Sequence, residues 1–180
     1  MKLPTSVDFI LLKREILMPD HKQKTNVMRI LDKEKIPFEH ILYESDGQID
    51  GIHVAQRLGI PFGQCYKTLV TFLKDKTGKA YYFVFCIPVD KELDLKKAAK
   101  AVGAKSVDML AVKDLVKITG YIRGGCSPIG MKRQFKTVID KSAILQDTIS
   151  VSGGKIGVQI KLSPKDLAKL LNAEFHAIIL

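Results

Sequence analysis

The sequence predicts a mixed α/β fold: a curved or barrel-like sheet flanked by helices, in a single domain. Three observations carry that expectation. Strand-like apolar runs are interspersed along the chain with segments whose apolar residues repeat every three to four positions. Two pairs of strand-like segments, YKTLVTFL with AYYFVFCIP and TISVS with GVQIKL, are separated by turn sequences, and such hairpins exclude a purely parallel sheet. No Pro/Gly/Ser-rich linker divides the 180 residues, 46% of which are hydrophobic, so one substantial core can form.

The elements follow in order. Residues 1–24 show no packing pattern beyond the apolar FILL at 9–12 and are expected to be an N-terminal extension to a domain over 25–180. TNVMRILDKEK (25–35) opens with Thr25 as a candidate N-cap and sets Val27, Ile30 and Leu31 on one helical face, with Pro37 as the stop. PFEHILY (37–43) reads as a strand, and GIHVAQRLG (51–59) as a short helix ending at Gly59. YKTLVTFL (66–73), the turn KDKTGK and AYYFVFCIP (80–88) form the clearest hairpin. DLKKAAKAVG (94–103) spaces Leu95, Ala98, Ala99 and Val102 as an amphipathic helix with lysines on its other face. A shorter helix falls within 109–120. TVID (137–140), TISVS (148–152) and GVQIKL (157–162) are strands, the last two joined by the SGGK turn. Ser163-Pro164 starts a final helix with Leu167, Leu170 and Leu171 inward, and AEFHAIIL closes the chain as a strand.

Several function classes are excluded at this stage. The longest apolar stretches, such as FVFCIPV, fall far short of the roughly 18 residues a membrane span needs. FILL follows Asp8, precedes Lys13, Arg14 and Glu15, and lacks a small-residue cleavage pattern, so export is not expected. Three widely spaced cysteines, at 65, 86 and 126, fit reduced thiols and a cytoplasmic setting. The four histidines never pair at helical spacing and no CxxC occurs, so no metal site is expected.

Charge narrows the field without deciding it. Of the net +10, +7 falls within residues 91–141, which hold 12 Lys and Arg against 5 Asp and Glu. A polyanionic partner and a solvated lysine-rich face explain that band equally well. Inside it lies RGGCSPIG (123–130). Cys126 would need a base and a lowered pKa to be a nucleophile, and nothing in the sequence supplies the base. Gly124, Gly125 and Gly130 could instead turn backbone N–H groups into one concavity suited to a phosphate or carbonyl oxygen, although taken alone the segment reads as a plain flexible loop. Lys67 opens a strand whose two faces both look buried; from pattern alone, a lysine there snorkels to the sheet edge or, less often, points into a polar cleft.

The segments KTNVMRIL, YKTLVTFL, DLKKAAKAVG, TGYIRGGCSPIG, TVIDKSA and ISVSGGKIGVQI, in that order over about residues 24–178, closely resemble the bacterial YbaK/EbsC group of Cys-tRNA(Pro) deacylases, within the prolyl-tRNA synthetase editing-domain superfamily. The resemblance implies a mixed α/β editing domain that acts in trans, clearing cysteine wrongly attached to proline tRNA. A binding pocket separates such similar small side chains by only about 1–3 kcal/mol, so a second site must remove the error. The resemblance further implies that Lys67, in the K-T-L motif, is the main functional side chain. It implies that Gly124, Gly125, Ser127 and Pro128 of the GG-x-SP loop, Ser152 of V-S-G-G and Tyr43 at the end of the first strand line the substrate pocket. The implied mechanism is substrate-assisted: the cysteinyl thiol attacks its own ester and leaves as a cyclic thiolactone, so no protein nucleophile, metal or cofactor is required. The implied partners are mischarged proline tRNA and, transiently, prolyl-tRNA synthetase. Deacylation of another small amino acid such as alanine, or a non-catalytic tRNA-binding or regulatory role, would keep the same basic band.

Overall fold

The computed structural model describes residues 24–180. The expected N-terminal extension lies outside them but for Lys24, and FILL lies wholly outside.

Local capping sets the element boundaries. Helix α1 (Asn26–Lys33) starts where the Thr25 hydroxyl accepts from the Met28 N–H at 3.3 Å, and it ends ahead of Pro37 because Lys35 turns left-handed at φ +54°. Strand β1 (Phe38–Leu42) follows, then α2 (Gly51–Leu58), whose N-cap Asp50 accepts from the His53 N–H at 2.9 Å and whose C-cap Gly59 is left-handed. A 3-10 turn (Phe62–Gln64) leads into β2 (Tyr66–Lys74) and β3 (Ala80–Pro88), paired antiparallel from Tyr66–Pro88 to Lys74–Ala80. The remaining elements are α3 (Leu95–Val102), β4 (Asp108–Met109), α4 (Val112–Thr119), β5 (Lys136–Asp140), a 3-10 turn (Lys141–Leu145), β6 (Ile149–Ser152), β7 (Val158–Leu162), α5 (Pro164–Leu171) and β8 (Glu174–His176). Ser163 caps α5 through the Asp166 N–H, as Ser-Pro predicts.

Two sheets result. One has the order β4-β2-β3-β5-β8, with β5 parallel to both its neighbours; the other, β1-β7-β6, is antiparallel throughout. A parallel bridge between Cys65 and Ser150 ties them edge to edge immediately before β2. The α/β mixture is the expected one. The sheets stay open across this seam and do not close into a barrel. The main core, built on Val27, Leu31, Ile139, Ile149, Val151, Ile160 and Leu167, draws on α1, α5 and strands of both sheets. Each such side chain contributes about 1.5–3 kcal/mol through burial. A second cluster, with Phe85, Ile87, Ala98, Val138 and Ile178, lies beneath α3.

At the sheet edges one expected strand is shortened and one unexpected strand appears. The C-terminal strand is only three residues long because the buried Asp140 carboxylate accepts from the Ile178 N–H at 3.0 Å and Ile179 bridges Leu93, which pulls the chain off β5 after His176. Strand β4, two exposed residues paired with Thr71 and Phe72, has no pattern of its own; β2 makes it a strand.

Candidate active site

The sheet seam opens into a cleft of about 360 Å³. Its first side is built from β2, the end of β3 and the start of α2. Cys65 is locked on two counts, through the bridge to Ser150 and by accepting from the Val89 N–H at 2.9 Å. Two residues on, Lys67 does not run out to the sheet edge. Its ammonium donates to the Val89 carbonyl at 3.1 Å and stands 3.5 Å from the Glu92 carboxylate, with the side chain 26% exposed. The Glu92 side of that pair is largely exposed, so the pairing itself adds less than about 1 kcal/mol, and an incoming anion can displace it. Gly51 lets α2 approach: a Cβ there would stand 2.5 Å from Cγ1 of Val89, the residue whose carbonyl holds Lys67. Asp50, Gly51 and Ile52 consequently face the cleft with the positive end of the α2 dipole.

The second side is the glycine loop with the turn between β6 and β7. Gly124 is left-handed at φ +83°, and a Cβ on it would sit 2.7 Å from the Ile49 Cβ, so both conformation and space demand glycine where the two sides meet. A Cβ on Gly125 would come within 3.2 Å of the Ile156 backbone nitrogen, which shows how closely the loop rests on the 153–157 turn. The plain flexible loop that the segment alone suggests is not what forms. The Tyr121 hydroxyl donates to the Ile129 carbonyl at 2.6 Å, the Tyr121 N–H donates to Thr119 Oγ1 at 3.0 Å, and the buried Ser127 hydroxyl accepts from the Ile129 N–H at 3.2 Å.

The residues singled out in the sequence thus separate into two groups. Lys67, Gly124 and Ser152 border the cleft. Gly125, Ser127 and Pro128 are buried behind it, Pro128 beside a smaller hollow with Met131, Phe135 and Leu170. Tyr43 is half-buried at the end of β1, where its N–H donates to the Gly157 carbonyl at 2.9 Å; it supports the turn and is not part of the lining. Ser152 accepts from the Gly154 N–H at 3.3 Å and keeps its own proton to donate.

Cys126 borders the cleft, yet burial pushes its thiol up to about 11, and Cys65 likewise to about 11. None of the described histidines reaches the lining, so neither thiol has an imidazole beside it to act as its base. Among the described residues no cluster of three or more His, Cys, Asp and Glu side chains is placed to hold a metal.

Sequence reasoning missed several lining groups. Gln159 is the most buried polar one, 7% exposed in β7, with its carbonyl oxygen accepting from the Ser150 hydroxyl at 3.0 Å and its amide nitrogen left for the cleft. Its signal was available: a glutamine between Val158 and Ile160 in a strand buried on both faces. Asp50, Asp90 and Glu92 gave no such signal, because each sits at an element end where acids are ordinary.

The arrangement offers one held ammonium, backbone and amide donors, apolar walls and an acidic rim around a space for a small polar group. It positions and polarises more readily than it attacks. The aminoacyl-tRNA editing domain matches residues 51–170. A protein of Enterococcus faecalis named as a proposed Cys-tRNA(Pro)/Cys-tRNA(Cys) deacylase, EbsC, is 48% identical over 158 residues, covering 87% of this chain and 94% of its own length. A proline–tRNA ligase of Cupriavidus necator is 33% identical over 90 residues, half of this chain and 16% of the ligase. The crystal structure of a proposed trans-editing enzyme for prolyl-tRNA synthetase superposes with a TM-score of 0.70 at 21% identity, over 88% of this chain and 99% of that one. Among the described residues no helix is long and apolar enough to cross a membrane. The chain belongs to the aminoacyl-tRNA editing domain family.

Proposed function

We propose that the chain is a trans-editing deacylase for Cys-tRNA(Pro), acting in the cytoplasm as one compact editing domain with an N-terminal extension. The observation that carries this reading is the cleft itself: a lysine held on a backbone carbonyl, facing a backbone-lined loop, with protein thiols raised to about 11 and no described histidine beside them. Such a site suits a substrate that brings its own nucleophile. The cysteinyl thiol gives up its proton, its sulfur bonds to the ester carbonyl carbon, and negative charge develops on the carbonyl oxygen, where the Lys67 ammonium stabilises it. Collapse breaks the carbon–oxygen ester bond; the ribose oxygen takes up a proton and the amino acid departs as a thiolactone. Gly124 and Ser152 border the space for the aminoacyl group, while Gly125, Ser127, Pro128 and Tyr43 hold the wall in shape. The relatedness to a segment of a proline–tRNA ligase supports a transient complex with prolyl-tRNA synthetase, which would supply the tRNA selectivity that a small cleft lacks.

A deacylation time course on Cys-tRNA(Pro), Ala-tRNA(Pro) and Pro-tRNA(Pro) tests this. The first is cleared fastest and the last is spared. No hydrolysis above the uncatalysed rate, with or without the synthetase, overturns the reading. S-methylation of the cysteinyl substrate blocks cleavage if the thiol attacks; undiminished cleavage removes that step.

A further inference from the structure

The two sides of the cleft differ in how their charges are matched. On the β2, β3 and α2 side every charge is engaged locally: Lys67 with Glu92 at 3.5 Å, Lys91 with Asp90 at 3.2 Å, and Asp50 with the His53 N–H at 2.9 Å. That side also carries three carboxylates, Asp50, Asp90 and Glu92, into the lining. On the glycine-loop side the cations are unmatched. Arg123 lines the cleft and is exposed, Lys155 is exposed on the turn beneath it, and among the described residues neither forms an ion pair. A Cβ on Gly125 would stand 3.4 Å from the Lys155 backbone, so the two cations are carried on adjoining segments, the glycine loop and the turn it rests on.

From this asymmetry we infer that Arg123 and Lys155 form a phosphate clamp, over which the 3′-terminal single strand of an RNA enters the cleft, while the Asp50, Asp90 and Glu92 rim turns phosphates away. The inference rests on the proposed RNA substrate and adds a direction to it. A phosphodiester crossing the acidic rim would meet three carboxylates and only two lysines, both already paired with them, whereas one crossing the glycine-loop rim meets an unpaired guanidinium, able to engage it with two parallel N–H bonds, and an ammonium. The same asymmetry orients the aminoacyl end: its cationic amine is drawn towards the carboxylates, which sets the ester between them and the clamp.

The test uses the full chain and uncharged RNA, so that it does not depend on hydrolysis. Fluorescence anisotropy of a short single-stranded RNA ending in CCA is followed against potassium chloride concentration. For the double variant Arg123→Ala/Lys155→Ala, binding weakens several-fold and the slope of log affinity against log salt shrinks by about 0.7 for each phosphate that is no longer neutralised. Lys76→Ala/Lys79→Ala removes the same charge from the β2–β3 turn, about 25 Å along the strand from Lys67, and leaves the slope unchanged. Arg123→Lys keeps the salt slope, because the charge stays, but loses part of the affinity, because an ammonium cannot make the two parallel N–H bonds. On Cys-tRNA(Pro), the clamp variant raises KM with kcat nearly intact. The clamp is overturned if the unaltered chain does not bind the RNA, if the clamp variant keeps the full slope, or if the distal variant loses as much. Salt-dependent RNA binding through these residues without deacylation would sink the enzymatic reading and leave the clamp standing. Deacylation with an unaltered slope would do the reverse.

Discussion

The two sides of the cleft are made differently. One is a strand end: Lys67, Val89 and Glu92 are placed by the full-length pairing of β2 with β3 and by a helix that glycine allows to come close. The other is loop backbone, held by hydrogen bonds made by Tyr121 and Ser127 and by glycines whose positions leave little room for a side chain. The strand side supplies a charge in a fixed place. The loop side supplies shape. Chemistry that depends on polarising an ester should therefore be lost through one residue on the first side, and stability through several on the second.

The largest expected effect is on the strand side. Lys67→Ala removes the only ammonium among the described lining residues, and loss of one such donor costs about 10²–10³ in kcat. Thermal unfolding changes little, because the Glu92 partner is largely exposed and the pair adds less than about 1 kcal/mol. Full activity in a folded Lys67→Ala protein would erase the contrast between the sides. Next is Gly124→Ala, where a left-handed alanine costs about 1–2 kcal/mol and the approach to Ile49 adds to it, so the melting temperature falls and activity falls with it.

Ser127→Ala sharpens the division within the GG-x-SP loop. The Ile129 N–H loses its acceptor, at a cost of about 1–3 kcal/mol of stability. KM for the aminoacyl substrate does not move, since the hydroxyl is fully buried behind the wall; a rise in KM at unchanged stability would return Ser127 to the pocket. The smallest effect belongs to Cys126→Ala, which leaves kcat near that of the unaltered chain. The buried thiols act on stability instead. Folding raises Cys65 and Cys126 to about 11 and Cys86 to about 12 from an ordinary value near 9. Above pH 9 the unfolded chain sheds these protons while the folded one keeps them, so stability falls as pH climbs from about 9 towards 11. The urea midpoint against pH shows this slope, and Cys126→Ala makes it shallower.

Most helices and strands were legible in the sequence because their signals are local. Thr25, Asp94, Ser163, Gly59 and Gly103 cap helices where the residue types predict, and the long apolar runs YKTLVTFL and AYYFVFCIP on either side of a turn sequence form a nine-residue pairing. What stayed hidden depends on distant partners. Strand β4 exists through β2, and the C-terminal strand is cut short by Asp140, 38 residues earlier in sequence than the N–H it accepts from. The site was legible as motifs but not as geometry. Position along GG-x-SP cannot tell Gly124, on the cleft, from Ser127, behind it, since both fit a tight loop. Likewise the pattern around Lys67 favoured an edge-seeking lysine; the Val89 carbonyl that holds it inward comes from the strand's partner, 22 residues away.

The seam between the sheets has a practical consequence. Cys65 and Ser150 provide a single backbone bridge there, and the cleft is lined from both sheets, by Lys67 on one and by Ser152 and Gln159 on the other. Any occupant therefore acts as a removable staple between two halves of the molecule. Its binding energy adds directly to folding stability, about 2.7 kcal/mol at a hundred times its dissociation constant. Thermal-shift screening with uncleavable aminoacyl-adenosine analogues thus becomes a direct assay of what the cleft accepts, with no turnover required.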